Sequence, residues 1–467
     1  KKVKVGLLPL YLELYDLTMP EIRPEIDRFH QRITQRLREE GLEVADAPAC
    51  RREAEFLEAV KYFEDSQVDA VVTLHLAYSP SLESERALKQ VKTPILVLDT
   101  TPDYVYDQST DAGKLMLNHG IHGVQDMCNL LVRNQKVFRV FAGHVEHSDV
   151  VRRLAEAARA ARMVRLFREA RVGIVGEPFC GMGDFQVDFP ALEQKFGIQT
   201  VQYDFKEGEQ RIQAVTEQDI QAEYLEDLSC FDIAPALSRQ CYDRSARMCL
   251  ALRRWVEEEK LTAFTVNFQE TAGHNPGLPV MPFTECSKSM ARGIGYAGEG
   301  DVLTAAFVGT LLQGFEAVTF TEMFCPDWSG GSVFLSHMGE FNYRVADGKP
   351  ILQEKPFPFT DAPNPTVAYK TMKPGRAVFV NLAPVGAGEY LLTAAPGEML
   401  RIEGENTMAE AVNGWFKPDL SLERFLERFS LTGGTHHSAL IYGEALESVE
   451  WFADFLGIRK QILKGVQ

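Results

Sequence analysis

The sequence lacks a paired cysteine motif and any apolar run of membrane-spanning length. Its eight cysteines, at positions 50, 128, 180, 230, 241, 249, 286 and 325, include no C-x-x-C pair. This argues against a zinc ribbon and against the disulfide framework of a small secreted domain. No apolar run approaches the ~18 residues of a transmembrane helix. The opening "KKVKVGLLPLYLELYD" predicts a β-strand and not a signal peptide, because no small-residue cleavage site is visible. We therefore expect a cytoplasmic protein with reduced thiols.

The sequence also has fewer basic than acidic residues. Lys and Arg number 49 against 66 Asp and Glu, which gives a formal net charge of −17 over 467 residues. This balance argues against nucleic acid and anionic membranes as partners. It still permits an anionic small substrate, because a few Arg or Lys side chains can reverse the field in one pocket. The length predicts several domains, since one ordinary domain has ~100–200 residues.

The chain falls into three regions with different strand and helix patterns. In the first, apolar strands such as "VKVGLLPLYL" and "TPILVLDTT" alternate with amphipathic helices, which predicts a parallel sheet covered by helices. A second such block begins at "RVGIVGE", whose turn "PFCGMGDF" does not match the G-x-G-x-x-G nucleotide pattern. From about Glu316, strands such as "AVTFTEMF" and "RAVFVNLAP" follow one another, which is typical of an antiparallel barrel.

We therefore predict an α/β protein with two doubly wound Rossmann-like α/β domains followed by a β-rich, barrel-like C-terminal domain. The predicted boundaries are 1–170, 171–315 and 316–467. The last domain is expected to carry most of the candidate metal ligands.

Carboxylates and imidazoles recur at turns and strand ends in the last third of the chain. Glu299 lies between two glycines in "AGEGD", and Glu322 interrupts the apolar strand "TFTEMF". His337 is in "FLSHMGE", and His436 and His437 are in "GGTHHSA". A titrating side chain at such a place is costly without a partner. Each residue alone is more often a satisfied core or surface side chain, but two carboxylates with two imidazoles form a reasonable shell for a divalent cation such as Mn²⁺.

These motifs resemble those of the L-arabinose isomerase and L-fucose isomerase superfamily, which are metal-dependent aldose–ketose isomerases. "GYAGEGDVLTAA" and "TFTEMF" are similar to its two metal-binding Glu motifs, and "LSHMGE" and "GGTHHS" to its two histidine motifs. Their order and spacing agree, and the resemblance covers essentially the whole chain. It implies four metal ligands, Glu299, Glu322, His337 and His437, with His436 as the reserve for the last place. It also implies four substrate-binding candidates: His122, Met182, Phe268 and His436.

The resemblance further implies Mn²⁺ or a similar divalent cation as cofactor, a sugar substrate and a homo-oligomer, a hexamer, with pockets shared between subunits. Two segments depart from the family pattern. "PLYLELYD" stands where arabinose isomerases carry a Gln-His-Leu-Tyr-Gly-like stretch that helps to bind the sugar across a subunit boundary, and "CPDWSGGSVF" also differs. We therefore expect a retained metal site and a changed sugar, which leaves a pentose, a hexose, a deoxy sugar or an anionic sugar open.

In this interpretation Glu299 and Glu322 are both metal ligands and the acid–base pair that moves a proton through an enediol. Which Glu takes the C–H proton stays open, and Glu340 and Asp301 are the next carboxylates if Glu299 is not the base. The flanking glycines are expected to let metal and sugar approach Glu299. Two alternatives are a metal-dependent sugar epimerase or lyase on the same scaffold and a non-catalytic sugar-binding protein, which would not require metal.

Overall fold

The structure is a computed structural model that describes residues 2–386 and 388–465. It consists of two compact units. Unit 1 is Lys1–Arg165 with Asp454–Gly457, and unit 2 is Leu166–Ala453 with Ile458–Gln467. Within the part of the chain that the structure describes, no helix has the length and apolarity that a membrane crossing needs. The predicted boundaries at 170/171 and 315/316 stay predictions.

Unit 1 contains a parallel sheet of five strands. The strands are β1 Lys4–Leu10, β2 Glu43–Asp46, β3 Ala70–His75, β4 Ile95–Asp99 and β5 Phe138–Ala142. The helices are α1 Glu13–Thr18, α2 Arg23–Glu39, α3 Glu53–Asp65, α4 Ser81–Gln90, α5 Gly120–Arg133 and α6 Val150–Arg168, which runs across the boundary along the chain. The strand order is β2-β1-β3-β4-β5, with every pairing parallel. Strand β2 lies on one side of β1, and β3, β4 and β5 follow on the other side. The chain therefore changes direction across the sheet after β2, as in doubly wound sheets.

The elements of unit 1 form where the sequence pattern favours them. Helix α2 buries Ile26, Phe29, Ile33 and Leu37, and this spacing of three or four residues puts them on one face. Strand β3 is buried along its whole length, as expected for a central parallel strand covered on both faces.

The first part of unit 2 contains a second parallel sheet. Its strands are β6 Arg171–Val175, β7 Gln199–Gln202, β9 Ala263–Val266 and β10 Gly295–Gly298, and β8 is Asp232–Ile233. The helices are α7 Phe189–Phe196, α8 Phe205–Gln213, α9 Glu217–Cys230, α10 Arg239–Glu258, α11 Phe283–Ala291 and α12 Val302–Gly314. The sheet order is β10-β9-β6-β7, again with parallel pairings. Its carboxyl edge contributes to the site described below.

The rest of unit 2 contains a closed barrel and a small separate sheet. The strands are β11 Val318–Asp327, β12 Ser332–Ser336, β13 Ile351–Glu354, β14 Thr366–Tyr369, β15 Gly375–Gly386, β16 Glu389–Met399, β17 Gly414–Pro418, β18 His437–Tyr442 and β19 Arg459–Ile462. Two helices, α13 Leu422–Leu431 and α14 Leu446–Leu456, lie between the last strands in sequence. The ring β15-β18-β11-β12-β17-β16 is closed by the β15–β16 pairing, β19 extends β16, and β14-β13-β8 is a separate small sheet. The predicted fold class, with two parallel α/β sheets and a barrel after them, is confirmed.

A buried ion network connects α9, α10 and α11. Lys288 on α11 is 2 % exposed, and its Nζ lies 2.6 Å from carboxylate oxygens of both Glu223 and Asp227 on α9. Arg253 on α10 lies 2.6 Å from Glu223 and 2.8 Å from Glu285. Buried charges of this kind are stable only while each keeps its partner.

Candidate metal centre

Three barrel strands bring one carboxylate and two imidazoles to the same level of the barrel. Glu322 on β11 pairs in register with His437 on β18 and with Ser336 on β12, and His337 directly follows Ser336. The Nε2 atoms of His437 and His337 lie 3.0 Å and 3.2 Å from Glu322 Oε1. Directly paired residues on antiparallel strands carry neighbouring side chains on one face. The barrel register therefore gathers ligands that are far apart in sequence.

Glu299 reaches the same point from the carboxyl edge of the parallel sheet. It follows β10, and its N–H donates to the carbonyl oxygen of Val266 at the end of β9, at 2.9 Å. Its Oε2 lies 3.4 Å from His437 Nε2 and 3.7 Å from His436 Nε2. The backbone of Glu299 has a φ of +63°, a strained value for a residue with a Cβ, which persists only where the surroundings hold it.

The two glycines beside Glu299 make room for protein atoms. A Cβ at Gly298 would lie 2.8 Å from Cε1 of His337, and one at Gly300, whose φ is +87°, would lie 2.5 Å from Cα of Pro178. The expectation that these glycines let metal and sugar approach Glu299 stays a prediction. The atoms that require them belong to an imidazole of the centre and to the loop after β6.

Five side chains surround the centre, with different exposure. One ligand atom from each of Glu299, Glu322, His436 and His437 lies within 4.8 Å of all the others. His337 is outside this group of four, yet its Nε2 is close to Glu322 and its side chain is only 3 % exposed, against 37 % for His436. His337 and His437 are thus the two interior imidazoles, and His436 is the imidazole on the solvent side.

The donor set fits a divalent cation. Glu299 Oε2 and His437 Nε2 are both buried and have no hydrogen-bond partner, although they lie only 3.4 Å apart. Together with one ligand atom each of Glu322 and His436, they form a group within 4.8 Å that could bind one ion. Leaving such groups unpaired in the interior costs free energy, and carboxylate oxygens with imidazole nitrogens suit a cation such as Mn²⁺.

Every imidazole of the centre has a carboxylate oxygen near its Nδ1 atom. The distances are 2.9 Å for His437–Asp301, 2.9 Å for His337–Glu340 and 2.6 Å for His436–Asp184. Asp301 and Asp184 form hydrogen bonds with Nδ1 of His437 and His436; because an ionised carboxylate only accepts, each favours a proton on Nδ1 and directs Nε2 towards the centre. Glu340 is close to His337 Nδ1 without hydrogen-bond geometry. Asp301 also accepts the N–H of Thr304 at the start of α12, at 2.9 Å.

The two glutamates are held ionised. Burial raises the pKa of Glu299, but the neighbouring imidazoles of His436 and His437 outweigh it and lower the pKa to about 2. Burial also raises the pKa of Glu322, and His337 with His437 lowers it well below the usual range of a glutamate. Both side chains are therefore carboxylates at neutral pH and can accept a proton or hold a cation.

The imidazoles show the opposite shift. Burial lowers the pKa of His337, whereas Glu340 and Glu322 raise it, with a net result of about 10. Burial lowers the pKa of His436 in the same way, and Asp184 with Glu299 raises it to about 9. A cation that binds through these rings must therefore displace protons.

The other predicted site residues lie in three different segments of the chain. Met182 follows β6 and Phe268 follows β9, so both come from the edge of the parallel sheet that carries Glu299. The Phe268 ring centroid lies 5.7 Å from that of Phe179. His122 belongs to unit 1, near the start of α5, where its Nδ1 lies 3.0 Å from His119 Nε2. The ligand and substrate roles of all the predicted site residues stay predictions.

Sequence reasoning missed Asp184 and Phe185, which lie in the glycine-rich loop between β6 and α7. Phe185 is 2 % exposed, and its ring stacks on His437 with a centroid distance of 4.9 Å and an angle of 10°. The one available signal was a second aromatic residue, after Phe179, in the glycine-rich turn "PFCGMGDF". Asp301 and Glu340 were considered only as reserve bases, whereas the structure places them at the Nδ1 atoms of His437 and His337.

Comparison with known families places most of unit 2 in two domain models. Residues 187–313 match the L-arabinose isomerase central domain, and residues 317–459 match the L-arabinose isomerase C-terminal domain. Together the two matches cover more than half of the chain. The second contains Glu322 and all three histidines of the centre, and the first contains Glu299.

Several proteins named L-arabinose isomerase are similar over most of their length. That of Nocardioides sp. is 26% identical over 410 residues, which are 84% of this chain and 80% of the relative. That of Geobacillus thermodenitrificans is 26% identical over 405 residues, with the same two shares. That of Acidothermus cellulolyticus is 25% identical over 464 residues, which are 94% of this chain and 89% of the relative.

Proposed function

Because this chain belongs to the L-arabinose isomerase family, as a divergent member, we propose that it interconverts an aldose and the corresponding ketose. The proposed metal ligands are Glu299, Glu322, His337 and His437, and the proposed cofactor is Mn²⁺ or a similar divalent cation. The observation that carries the proposal is the convergence of carboxylate and imidazole atoms on one point, where buried atoms of Glu299 and His437 have no hydrogen-bond partner.

The side chains around the ligands support this assignment. When bound, the cation would supply Lewis acidity for the negative charge that develops on the sugar oxygens. Asp301 orients the ring of His437 through a hydrogen bond at Nδ1, and Glu340 forms an ion pair with His337 at 2.9 Å. Phe320, which is fully buried, packs its ring 4.8 Å from that of His337 and 5.2 Å from that of His437, and so keeps water away from the inner side of the centre.

Glu299 and Glu322 carry the proton transfer in this proposal. Isomerisation removes a proton from one carbon of the open-chain sugar and returns it to the neighbouring carbon through an enediol. An ionised carboxylate close to that carbon can accept the proton, and such general acid–base catalysis contributes ~10²–10⁴-fold. We assign removal of the proton from C2 of the aldose to Glu299, and the transfer of a hydroxyl proton to Glu322.

The proposal also covers the identity of the sugar, the oligomeric state and the location in the cell. The departures of "PLYLELYD" and "CPDWSGGSVF" from the arabinose pattern support a sugar other than L-arabinose, with an anionic sugar among the candidates. The family resemblance supports a homo-oligomer, a hexamer, in which subunits share pockets, with His122, Met182, Phe268 and His436 in contact with the sugar. All eight cysteines lie within the described residues and are free thiols, which supports the cytoplasm as the location.

A panel of sugars tests the proposed function. Purified protein with saturating Mn²⁺ is incubated separately with pentoses, hexoses, deoxy sugars and uronic acids, including L-arabinose, and the products are identified by NMR. We expect conversion of at least one aldose to its ketose, and none with Glu322→Ala. A product epimeric at one carbon, or a cleaved product, would favour the epimerase or lyase alternative. Absence of any product across the panel would overturn the proposal.

A further inference from the structure

His436 is held differently from the other imidazoles of the centre. Its side chain is 37 % exposed, so packing alone does not fix the ring. Its Nε2 lies 3.7 Å from Glu299 and 3.9 Å from Glu322, close to both carboxylates on the solvent side. Its other nitrogen, Nδ1, donates to Asp184 Oδ2 at 2.6 Å.

Asp184 also holds the backbone of His436. The His436 N–H donates to the same Asp184 Oδ2 at 2.8 Å. One carboxylate oxygen therefore fixes both the main chain and the ring of His436. The next residue, Phe185, stacks on the ring of His437. Two consecutive loop residues therefore contact two consecutive histidines.

The loop that carries Asp184 is itself anchored at both ends. At its start the N–H of Phe179 donates to the carbonyl oxygen of Glu299, at 2.9 Å. At its end Asp188 caps α7 by accepting the N–H of Ala191, at 2.7 Å. Asp184 thus stands at a defined position relative to the glutamates.

We propose that Asp184 is a positioning residue that turns Nε2 of His436 towards the Glu299–Glu322 pair, where it meets a hydroxyl of the bound sugar. Because the carboxylate accepts only, it keeps the hydrogen on Nδ1. The ring then presents its Nε2 atom to the sugar. Without Asp184, the partly exposed ring is free to rotate. The sugar contact rests on the proposed function, whereas the positioning of the ring does not.

Two substitutions of Asp184, compared with His436→Ala, separate positioning from loop anchoring. Asp184→Asn can keep one oxygen for both the backbone N–H and the Nδ1–H of His436, but it lacks the negative charge that strengthens these hydrogen bonds. We expect kcat/KM to fall ~10–100-fold, the usual effect of losing a partner that orients a site imidazole. His436→Ala should cause a similar loss, and the double variant should be scarcely worse than either. Asp184→Glu, which retains a carboxylate, should recover part of the loss.

A second readout needs neither metal nor sugar. In the metal-free protein, the hydrogen-bonded Nδ1–H proton of His436 should give a low-field NMR resonance that disappears in Asp184→Ala and in His436→Ala. Asp188→Asn is the matched control, because it makes the same change four residues further along the loop and Asn also caps helices well. It should leave kcat, KM and the resonance unchanged.

The outcomes separate this inference from the proposed function. The resonance in the parent protein, without turnover of any sugar, would overturn the proposed function and leave the positioning of His436 intact. Its absence in the parent would overturn the role of Asp184 whatever the turnover. If Asp184→Asn had the parent's kcat and KM while His436→Ala lost much of its kcat/KM, Asp184 would not position the ring and would only anchor the loop.

Discussion

Glu322 on β11 and His437 on β18 are directly paired across two antiparallel barrel strands, with 3.0 Å between Glu322 Oε1 and His437 Nε2. Glu322 has Ser336 on its other side, which brings His337 to the same level. The ligand geometry therefore depends on strand register, and a shift of one residue would turn these side chains to the opposite face.

The first prediction concerns the two glutamates. Glu299→Gln and Glu322→Gln should each lower turnover by ~10²–10⁴-fold at saturating metal, because the amide cannot accept a proton from carbon. The double variant should be scarcely worse, since residues that act as a unit are not additive. Steady-state isomerisation with metal content checked in each variant is the measurement, and the exposed Glu316→Gln is the control. Near-parental turnover in metal-loaded Glu299→Gln would show that Glu299 is not the base and would turn attention to Glu340 or Asp301.

The second prediction ranks two adjacent histidines. His437→Ala should weaken Mn²⁺ binding more than His436→Ala, because His437 Nε2 lies 3.0 Å and 3.4 Å from the two glutamates, whereas His436 Nε2 lies 3.9 Å and 3.7 Å from them. Metal titration of the two variants decides the order. Equal losses would make His436 a ligand as well, in line with the group of four that it forms with Glu299, Glu322 and His437.

The third prediction is the pH dependence of metal binding. In the metal-free protein the pKa of His337 is raised to about 10, above the ordinary 6.5, so the ring is protonated at neutral pH and must lose that proton to a cation. Apparent Mn²⁺ affinity should therefore rise with pH between about 7 and about 9, roughly tenfold per pH unit for each proton released. Calorimetry in buffers of different ionisation enthalpy counts the protons. An affinity independent of pH would contradict the role of His337 as a ligand.

The raised pKa of His337 also makes the stability of the metal-free protein depend on pH. A raised pKa in the folded state stabilises the metal-free fold fully below pH 6.5, and this contribution is lost as the pH rises towards about 10. The metal-free protein should thus lose stability over this window more steeply than His337→Gln, which lacks the titrating ring. Urea midpoints at several pH values for the two proteins provide the comparison.

The fourth prediction concerns the buried ion network of unit 2. Lys288→Met leaves Asp227 without its buried cation and Glu223 with Arg253 alone, so it should lower the free energy of unfolding by ~3–5 kcal/mol. Lys92→Met is the matched control, because the Lys92–Glu64 pair has a similar distance of 2.8 Å but Lys92 is 83 % exposed, and exposed pairs contribute ~0–1 kcal/mol. Urea denaturation of the two variants gives the difference. Similar small losses in both would mean that the network relaxes or admits water.

The sequence was informative where chemistry conflicts with local pattern. Glu322 and His437 stand in apolar strands, where a titrating side chain is costly, so both could be singled out before the structure was known. Alternating apolar strands and amphipathic helices likewise predicted the two parallel sheets, and the run of strands after Glu316 predicted a barrel. The closure of that barrel could not be predicted, because it depends on pairings such as β15 with β16 that local pattern does not encode.

Asp184 illustrates why the rest of the centre was missed. It lies 252 residues from His436 in sequence, in a loop whose path depends on the burial of Phe185 and on the hydrogen bond between Phe179 and Glu299. Aspartate is common in loops, so its type carried no signal. Asp301 had a sufficient local role as the cap of α12, which concealed its second contact with His437.

The central claim is that one divalent cation at this centre supports isomerisation. The most direct test titrates chelator-treated protein with Mn²⁺ and measures, in the same samples, the bound metal per chain and the rate of conversion of the best aldose from the panel. The account predicts one Mn²⁺ per chain, a rate proportional to occupancy, and loss of both in Glu322→Ala. Full turnover of the metal-free protein, or Mn²⁺ binding that Glu322→Ala leaves unchanged, would contradict it.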